Sequence, residues 1–223
     1  MKTLVRELYG ELLLVLRGKT LDLLLPPLVF YLTYSFTELN IALIVAVVFG
    51  VLLNVYRIVH KQKWWYALFG MFGVLIASGF AFFNQNASDY FLPDMIGNVL
   101  VVIIVLISLI VKRPIALYAS HITRGFPMPW FFRKDIYPAY WEVSILWLIY
   151  LTLRGSIEIG FYLRGNLEGL VWFTTLAGVP MLLAVLIASY IYGLWRLRTL
   201  KGPSVDEFLA GKEPPFEGQK KGF

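Results

Sequence analysis

Six stretches of this chain are apolar for long enough to cross a bilayer, and short polar or basic segments separate them. The stretches run at about 21–37, 40–58, 64–83, 93–111, 140–163 and 168–195. A membrane-spanning helix needs roughly 20 consecutive apolar residues. The runs are continuously apolar and do not alternate every second residue, which predicts helices and not barrel strands. Residues 2–19 mix Lys2, Arg6, Glu7, Glu11, Arg17 and Lys19 with Leu and Val, as expected for a short amphipathic helix at the membrane surface. Between Lys112 and Tyr140 the prolines Pro114, Pro127, Pro129 and Pro138 forbid one continuous helix. That segment is expected to be re-entrant or interfacial, with a short helix over Ile115 to Thr123. Residues 201–223 carry three Pro and four Gly among scattered charges and read as a disordered tail. The expected fold is thus an all-α integral membrane protein. It has a surface helix at 1–20, a six-helix transmembrane domain at 21–200 and a cytoplasmic tail at 201–223.

Details within the spans sharpen this picture. Pro26-Pro27 removes two amide donors and predicts a kink or a broken start in the first span. Trp64-Trp65-Tyr66 opens the third as an aromatic interface belt. Gly73, Ala77 and Ala81 lie four residues apart, a spacing that lets another helix approach closely, although small residues are common in membrane helices anyway. The fourth span is a β-branched run with the character of a lipid-facing helix. Gly178-Val179-Pro180 predicts a kink in the sixth.

Composition agrees with a membrane chain: 59% of residues are hydrophobic and 15% charged. Soluble domains carry about a quarter charged residues. With no Cys, disulfides and thiolate chemistry are excluded. The apolar patch Leu12 to Leu16 follows Glu11 and precedes no small-residue cleavage site, so it does not read as a signal peptide. The net charge of +6 comes from residues dispersed at the ends of the apolar stretches, which argues against a nucleic-acid partner. Eighteen of the twenty Lys and Arg residues fall on one side of the six spans. The positive-inside rule then places both termini in the cytoplasm, facing anionic headgroups. The exceptions are Arg164, at an outer turn, and Arg154.

Arg154 lies about ten residues from the outer end of the fifth span, roughly 15 Å deep at 1.5 Å per residue. Glu158 follows one helical turn later and can share its face. The pair reads either as the lining of a polar pocket or ion path, or as an internal ion pair that fixes helix packing. Glu142, near the cytoplasmic entrance of the same span, is expected to form an interfacial salt bridge with Arg133 or Lys134. Thr33, Ser35 and Asn54 are candidates for hydrogen bonds between helices. Lys112, Arg113, Trp130, Arg133 and Lys134 are expected to contact lipid at the interface. His60 and His121 lack companions at metal-ligand spacing, so no metal is expected. No nucleotide, hydrolase or metalloprotease motif occurs, and neither a catalytic residue nor a cofactor is assigned.

Two blocks carry a resemblance. RKDIYPAYWEVSILWLIYLTLRGSIEIGFYL and GVPMLLAVLIASYIYGLWRL resemble a family of small bacterial inner-membrane proteins of unknown function related to intracellular septation protein A. Arg154, Tyr162 and Pro180 stand where that family has an intramembrane Arg, a segment before the outer turn and a proline in the last span. LLLPPLVFYLTY, FLPDMIGNVL and the KRP at 112–114 are similar to the septation protein proper. That protein has no Arg at the position of Arg154 and a neutral polar residue near 158. The resemblance implies a six-helix protein of the bacterial inner membrane, associated with envelope or division machinery and without an established activity.

Three functional classes compete on this evidence. The leading one is a non-enzymatic membrane protein acting through contacts with other membrane proteins or with copies of itself. The second is a small transporter or channel built on Arg154 and Glu158. The third is a lipid-handling protein, drawing on the basic, aromatic segment 112–138, since juxtamembrane Lys and Arg attract anionic headgroups.

Overall fold

The computed structural model describes residues 21–59 and 64–218. The expected surface helix at 1–20 and the loop containing His60, Lys61 and Lys63 lie outside the described residues. So do the side chains of Trp64, Trp65 and Tyr66. Every described element is helical. They are α1 (Leu21–Tyr34), α2 (Leu39–Val59), α3 (Trp64–Asn84), a 3-10 turn (Ala87–Phe91) and α4 (Leu92–Ile110). There follow α5 (Ile115–Arg124), α6 (Met128–Phe131), α7 (Tyr137–Leu163), α8 (Leu167–Ala177), α9 (Val179–Leu200) and α10 (Val205–Leu209).

Among the described residues, four stretches and not six are long and apolar enough to cross a membrane. They are Leu39–Tyr56, Ala87–Ile110, Tyr137–Leu163 and Leu167–Leu200. Of the expected first span, the described helix α1 covers 14 residues, roughly 21 Å against a hydrocarbon core of about 30 Å. It carries Pro26 and Pro27 within the helix and ends where Ser35 and Phe36 turn back onto Tyr31 and Thr33. The expected third span is represented by the shorter apolar stretch Gly70–Asn84. The fourth span begins earlier than expected, because the 3-10 turn feeds directly into α4. Along α4, Leu100, Ile103, Ile104, Ile107 and Ile110 are exposed. In a soluble protein such a surface would be unfavourable by about 25 cal/mol per Å²; against lipid tails it is matched.

The chain divides into two compact units. Of the described residues, 21–96 and 157–180 form the first, and 97–156 with 181–218 form the second. In the first unit α1 packs on α2, α2 on α3, and α8 on α1 and on the 3-10 turn. Its core joins Phe30, Leu43, Tyr90, Phe91, Leu170 and Val171 to the small residues Ala42, Ala46, Ala77 and Ala81. Phe30 stacks flat on Tyr90 with centroids 4.3 Å apart. Ala77 and Ala81 from the small-residue stripe are buried, whereas Gly73 faces open space. The 3-10 turn is buried along its length, and Asp89 with it. A buried carboxyl group needs hydrogen-bond donors to replace water. Tyr162 Oη donates to Asp89 Oδ1 at 2.7 Å and Asn84 Nδ2 to Oδ2 at 2.6 Å.

In the second unit α7 and α9 run antiparallel, because partners on α9 fall in number as those on α7 rise. Glu142 meets Arg196, and Trp147 Nε1 donates to Ser189 Oγ at 3.2 Å. Helix α4 is tied to α7 by Asn98 Nδ2, which donates to the Leu151 carbonyl at 3.1 Å. Gly155 makes that contact possible, since a Cβ there would collide with the Asn98 amide. The expected glue at Asn54 and Ser35 takes a different form. Asn54 Nδ2 donates to the Gly50 carbonyl and Ser35 Oγ to the Tyr31 carbonyl, each within one turn of its own position. Short polar side chains in a helix reach the carbonyl four residues back more readily than a neighbouring helix. The sixth stretch breaks as expected: α8 ends at Ala177 and α9 begins at Val179. At Gly178 a Cβ would lie 2.6 Å from the Thr174 carbonyl oxygen, and Pro180 has no amide hydrogen to lose.

The segment expected to be a disordered tail is folded over 203–218. Ser204 caps α10 in a reciprocal capping box with Glu207. The Glu207 carboxylate also accepts from the backbone amides of Glu217 at 3.0 Å and Gly218 at 2.9 Å, closing the following turn. These donors hold its pKa down at about 2. Composition misled here because Pro and Gly mark turns as well as disorder, and the docking surface lies some 70 residues earlier in the chain.

Candidate functional site: a crevice between α5, α7 and α9

Helix α5 forms where the sequence places it, between Pro114 and the glycine that stops it. Gly125 has φ +70° and donates its amide to the His121 carbonyl at 2.8 Å, a left-handed cap. His121 Nδ1 lies 2.6 Å from the Phe126 carbonyl oxygen, so this histidine belongs to the turn. Pro114 offers no side-chain cap. Ser144 of α7 supplies one instead: its Oγ accepts from the Ala116 amide at 3.2 Å and donates to the Tyr140 carbonyl at 2.9 Å. The first turn of α5 is thereby fastened to α7 at a fully buried serine. Beyond Gly125 the chain folds under itself through Phe126, Trp130, Phe131 and Tyr140, whose rings meet mainly edge to face.

Between α5, α7 and α9 lies a crevice of about 360 Å³. Ala116, Ala119, Val143, Leu186, Gly193 and Leu194 give it apolar walls. Small residues on α5 and α9 create the space: a Cβ added at Gly193 would meet only the Val143 side chain, at 3.5 Å. The polar lining is concentrated on the last turn of α5 and on facing tyrosines, namely Ser120, Thr123, Arg124, Tyr140 and Tyr190. The Arg124 guanidinium sits over the Tyr190 ring at 5.1 Å and the Phe126 ring at 5.8 Å. Trp147 and Ser189, joined by their hydrogen bond, complete the lining. Such a surface suits a molecule with an apolar body and a polar end.

The residues singled out from sequence fall elsewhere for the most part. Arg154 is half-buried and Glu158 fully buried, one turn apart on α7, and neither lines the crevice. Lys112, Arg113 and Lys134 are exposed, as interfacial residues would be. Trp130 is not a lipid contact: it has no exposed surface, and its Nε1 donates to the Pro203 carbonyl at 3.0 Å. Arg133 is turned inward to Asp135, forking onto both carboxylate oxygens at 2.9 and 2.8 Å. Phe208 and Phe216 of the carboxy-terminal segment lie beneath it, at 5.9 and 5.5 Å. Asp135 stabilises the Arg133 cation and raises its pKa above the ordinary value. Glu142 pairs with neither Arg133 nor Lys134. It takes Arg196 Nε and Nη2 on its two oxygens, with contacts of 2.7–3.0 Å, and the Tyr192 hydroxyl at 2.7 Å. Ser144, Asp89 and the crevice itself had no signal in the sequence, beyond the expectation of a short helix over Ile115 to Thr123.

Residues 17–198 match DUF3159, a family of proteins of unknown function. The chain belongs to this family. The matched region takes in every residue that lines the crevice and stops short of α10. It carries no link to intracellular septation protein A. No curated protein and no solved structure matches the chain.

Proposed function

We propose that this protein is a multi-pass protein of the bacterial cytoplasmic membrane that binds a membrane amphiphile in the crevice between α5, α7 and α9. The observation that carries the reading is the crevice, with apolar walls and a single cluster of polar groups. Both termini face the cytoplasm on this reading, supported by the basic residues concentrated in both terminal segments and in the segment 112–134. The crevice then opens near the cytoplasmic leaflet, because α5 belongs to the basic segment between the apolar stretches. Binding is preferred over contact with envelope or division proteins because the crevice is a built cavity of defined chemistry. The septation resemblance rests on diffuse sequence segments.

Filling the crevice tests the reading. Ala119 is exposed and lines it, so Ala119→Trp occupies the space without entering a packed core. Protein purified in mild detergent and washed extensively is expected to retain about one lipid per chain, measured by mass spectrometry of the extract. The Ala119→Trp variant, with an unchanged thermal transition, is expected to lose it. Equal retention by both proteins would remove the crevice as the site.

A further inference from the structure

We propose that the crevice selects a lipid with an anionic phosphate headgroup, and that Arg124 is the residue that reads the charge. This rests on the amphiphile reading above and narrows it to one ligand class. The polar lining is arranged asymmetrically. Ser120, Thr123 and Arg124 occupy the last turn of α5, with the Tyr140 and Tyr190 side chains also facing the crevice. An acyl chain is matched by Val143, Leu186 and Leu194, and a headgroup by that polar cluster. The volume of about 360 Å³ lies near the lower end of the range for small-ligand sites, roughly 300–1,000 Å³. It accommodates one chain segment and part of a headgroup, not a whole two-chain lipid.

Arg124 has the chemistry for a phosphate. Its guanidinium presents a planar fork that matches phosphate oxygens. The Tyr190 and Phe126 rings hold that plane in place by its faces, and ring faces orient a cation without cancelling its charge. Hydroxyls of Ser120 and Tyr190 stand in the same lining as further donors, whereas the Thr123 hydroxyl donates to the Ala119 carbonyl. Charge complementarity selects the occupant: the basic segment around α5 draws anionic lipid to this side of the membrane, and Arg124 is the member of that segment that lines the crevice.

The experiment uses vesicles of phosphatidylcholine or phosphatidylglycerol carrying the same brominated acyl chains, with the full chain reconstituted in each. Quenching of the crevice tryptophan is read as the difference between wild type and Trp147→Phe. The expected result is a preference for phosphatidylglycerol of about tenfold, the size of one charge-assisted contact. Arg124→Gln is expected to abolish the preference while chains of both lipids still quench, and Arg124→Lys to retain part of it. Equal quenching by both lipids in wild type, or an undiminished preference in Arg124→Gln, would overturn headgroup selection while leaving amphiphile binding intact. Absence of Trp147 quenching with either lipid would sink both. Displacement of the brominated lipid by millimolar inorganic phosphate alone would make the site one for a free anion, against the lipid assignment.

Discussion

The two units hold themselves together by different means. In the first, helices meet through small side chains: Ala42 and Ala46 of α2, Ala77 and Ala81 of α3, with the Phe30–Tyr90 stack beside them. Its polar contacts gather at one buried carboxyl group, Asp89. In the second, long-range polar bonds tie α4, α5 and α9 to α7 and α6 to the carboxy-terminal segment: Asn98 to Leu151, Ser144 to Ala116, Trp147 to Ser189, Glu142 to Arg196 and Trp130 to Pro203. The contrast follows from what each unit packs. Alanine-faced helices gain from close backbone approach, where dispersion is dense and no polar group needs a partner. The second unit includes two proline-rich segments with backbone groups outside helical ladders, and distant side chains satisfy two of these groups, the Ala116 amide and the Pro203 carbonyl.

The comparison is most open to attack at Trp130. Trp130→Ala removes a fully buried ring and the donor to Pro203, and the expected loss is about 3–5 kcal/mol. The thermal transition falls, and trypsin cleaves at Lys201 and Lys212 in conditions where the wild type resists. Trp130→Phe, which keeps most of the packing, is expected to lose only about 1 kcal/mol while still loosening the tail. If Trp130→Ala leaves cleavage unchanged, the carboxy-terminal segment is not held by this contact.

The matching attack on the first unit is Ala81→Leu. Ala81 has no exposed surface, and adding three carbons between close-packed helices is expected to destabilise by about 1–3 kcal/mol. Ala81→Gly is expected to lower stability by less, about 1 kcal/mol from helix propensity and lost contact. A leucine tolerated at full stability would mean that close approach is not what holds this unit.

The smallest effect sharpens the comparison without unfolding either unit. Glu207 has a folded-state pKa of about 2 against an ordinary value of 4.5. Depression below the unfolded value means that the charged form is the one that holds the turn. Its contribution is therefore complete above pH 4.5 and is lost as pH falls toward 2. Hydrogen exchange at the Glu217 and Gly218 amides is expected to accelerate across that window, beyond its intrinsic pH dependence, and Glu207→Gln to remove the acid step. Amide protection that stays flat in the wild type between pH 5 and 2 would contradict the role given to this carboxylate.

Legibility from sequence followed the range of the interactions. Helix α5 was readable because its limits are local: the prolines Pro114 and Pro127 on either side confine a short helix to the residues between them. The break at Gly178 was readable for the same reason. Glu142 was assigned to the wrong arginine because Arg133 and Lys134 are near in sequence, whereas Arg196 is brought beside it by the antiparallel pairing of α7 and α9. Trp130 was placed in the headgroup region because an aromatic next to basic residues has that pattern; its burial depends on a carbonyl 73 positions later. The crevice was not readable, since the residues that empty it, Ala116, Ala119 and Gly193, are unremarkable one at a time.

What the sequence by itself determined is the all-helical character, the apolar runs with basic ends, and the starts and stops set by proline and glycine. These are properties of a few neighbouring residues and their solvent. The tertiary structure alone decided that residues 203–218 fold, which arginine meets Glu142, and that α5 stands over a cavity. Each of those depends on surfaces that become adjacent only when the chain closes, because hydrogen bonds and packing act over a few ångström in space regardless of separation along the chain.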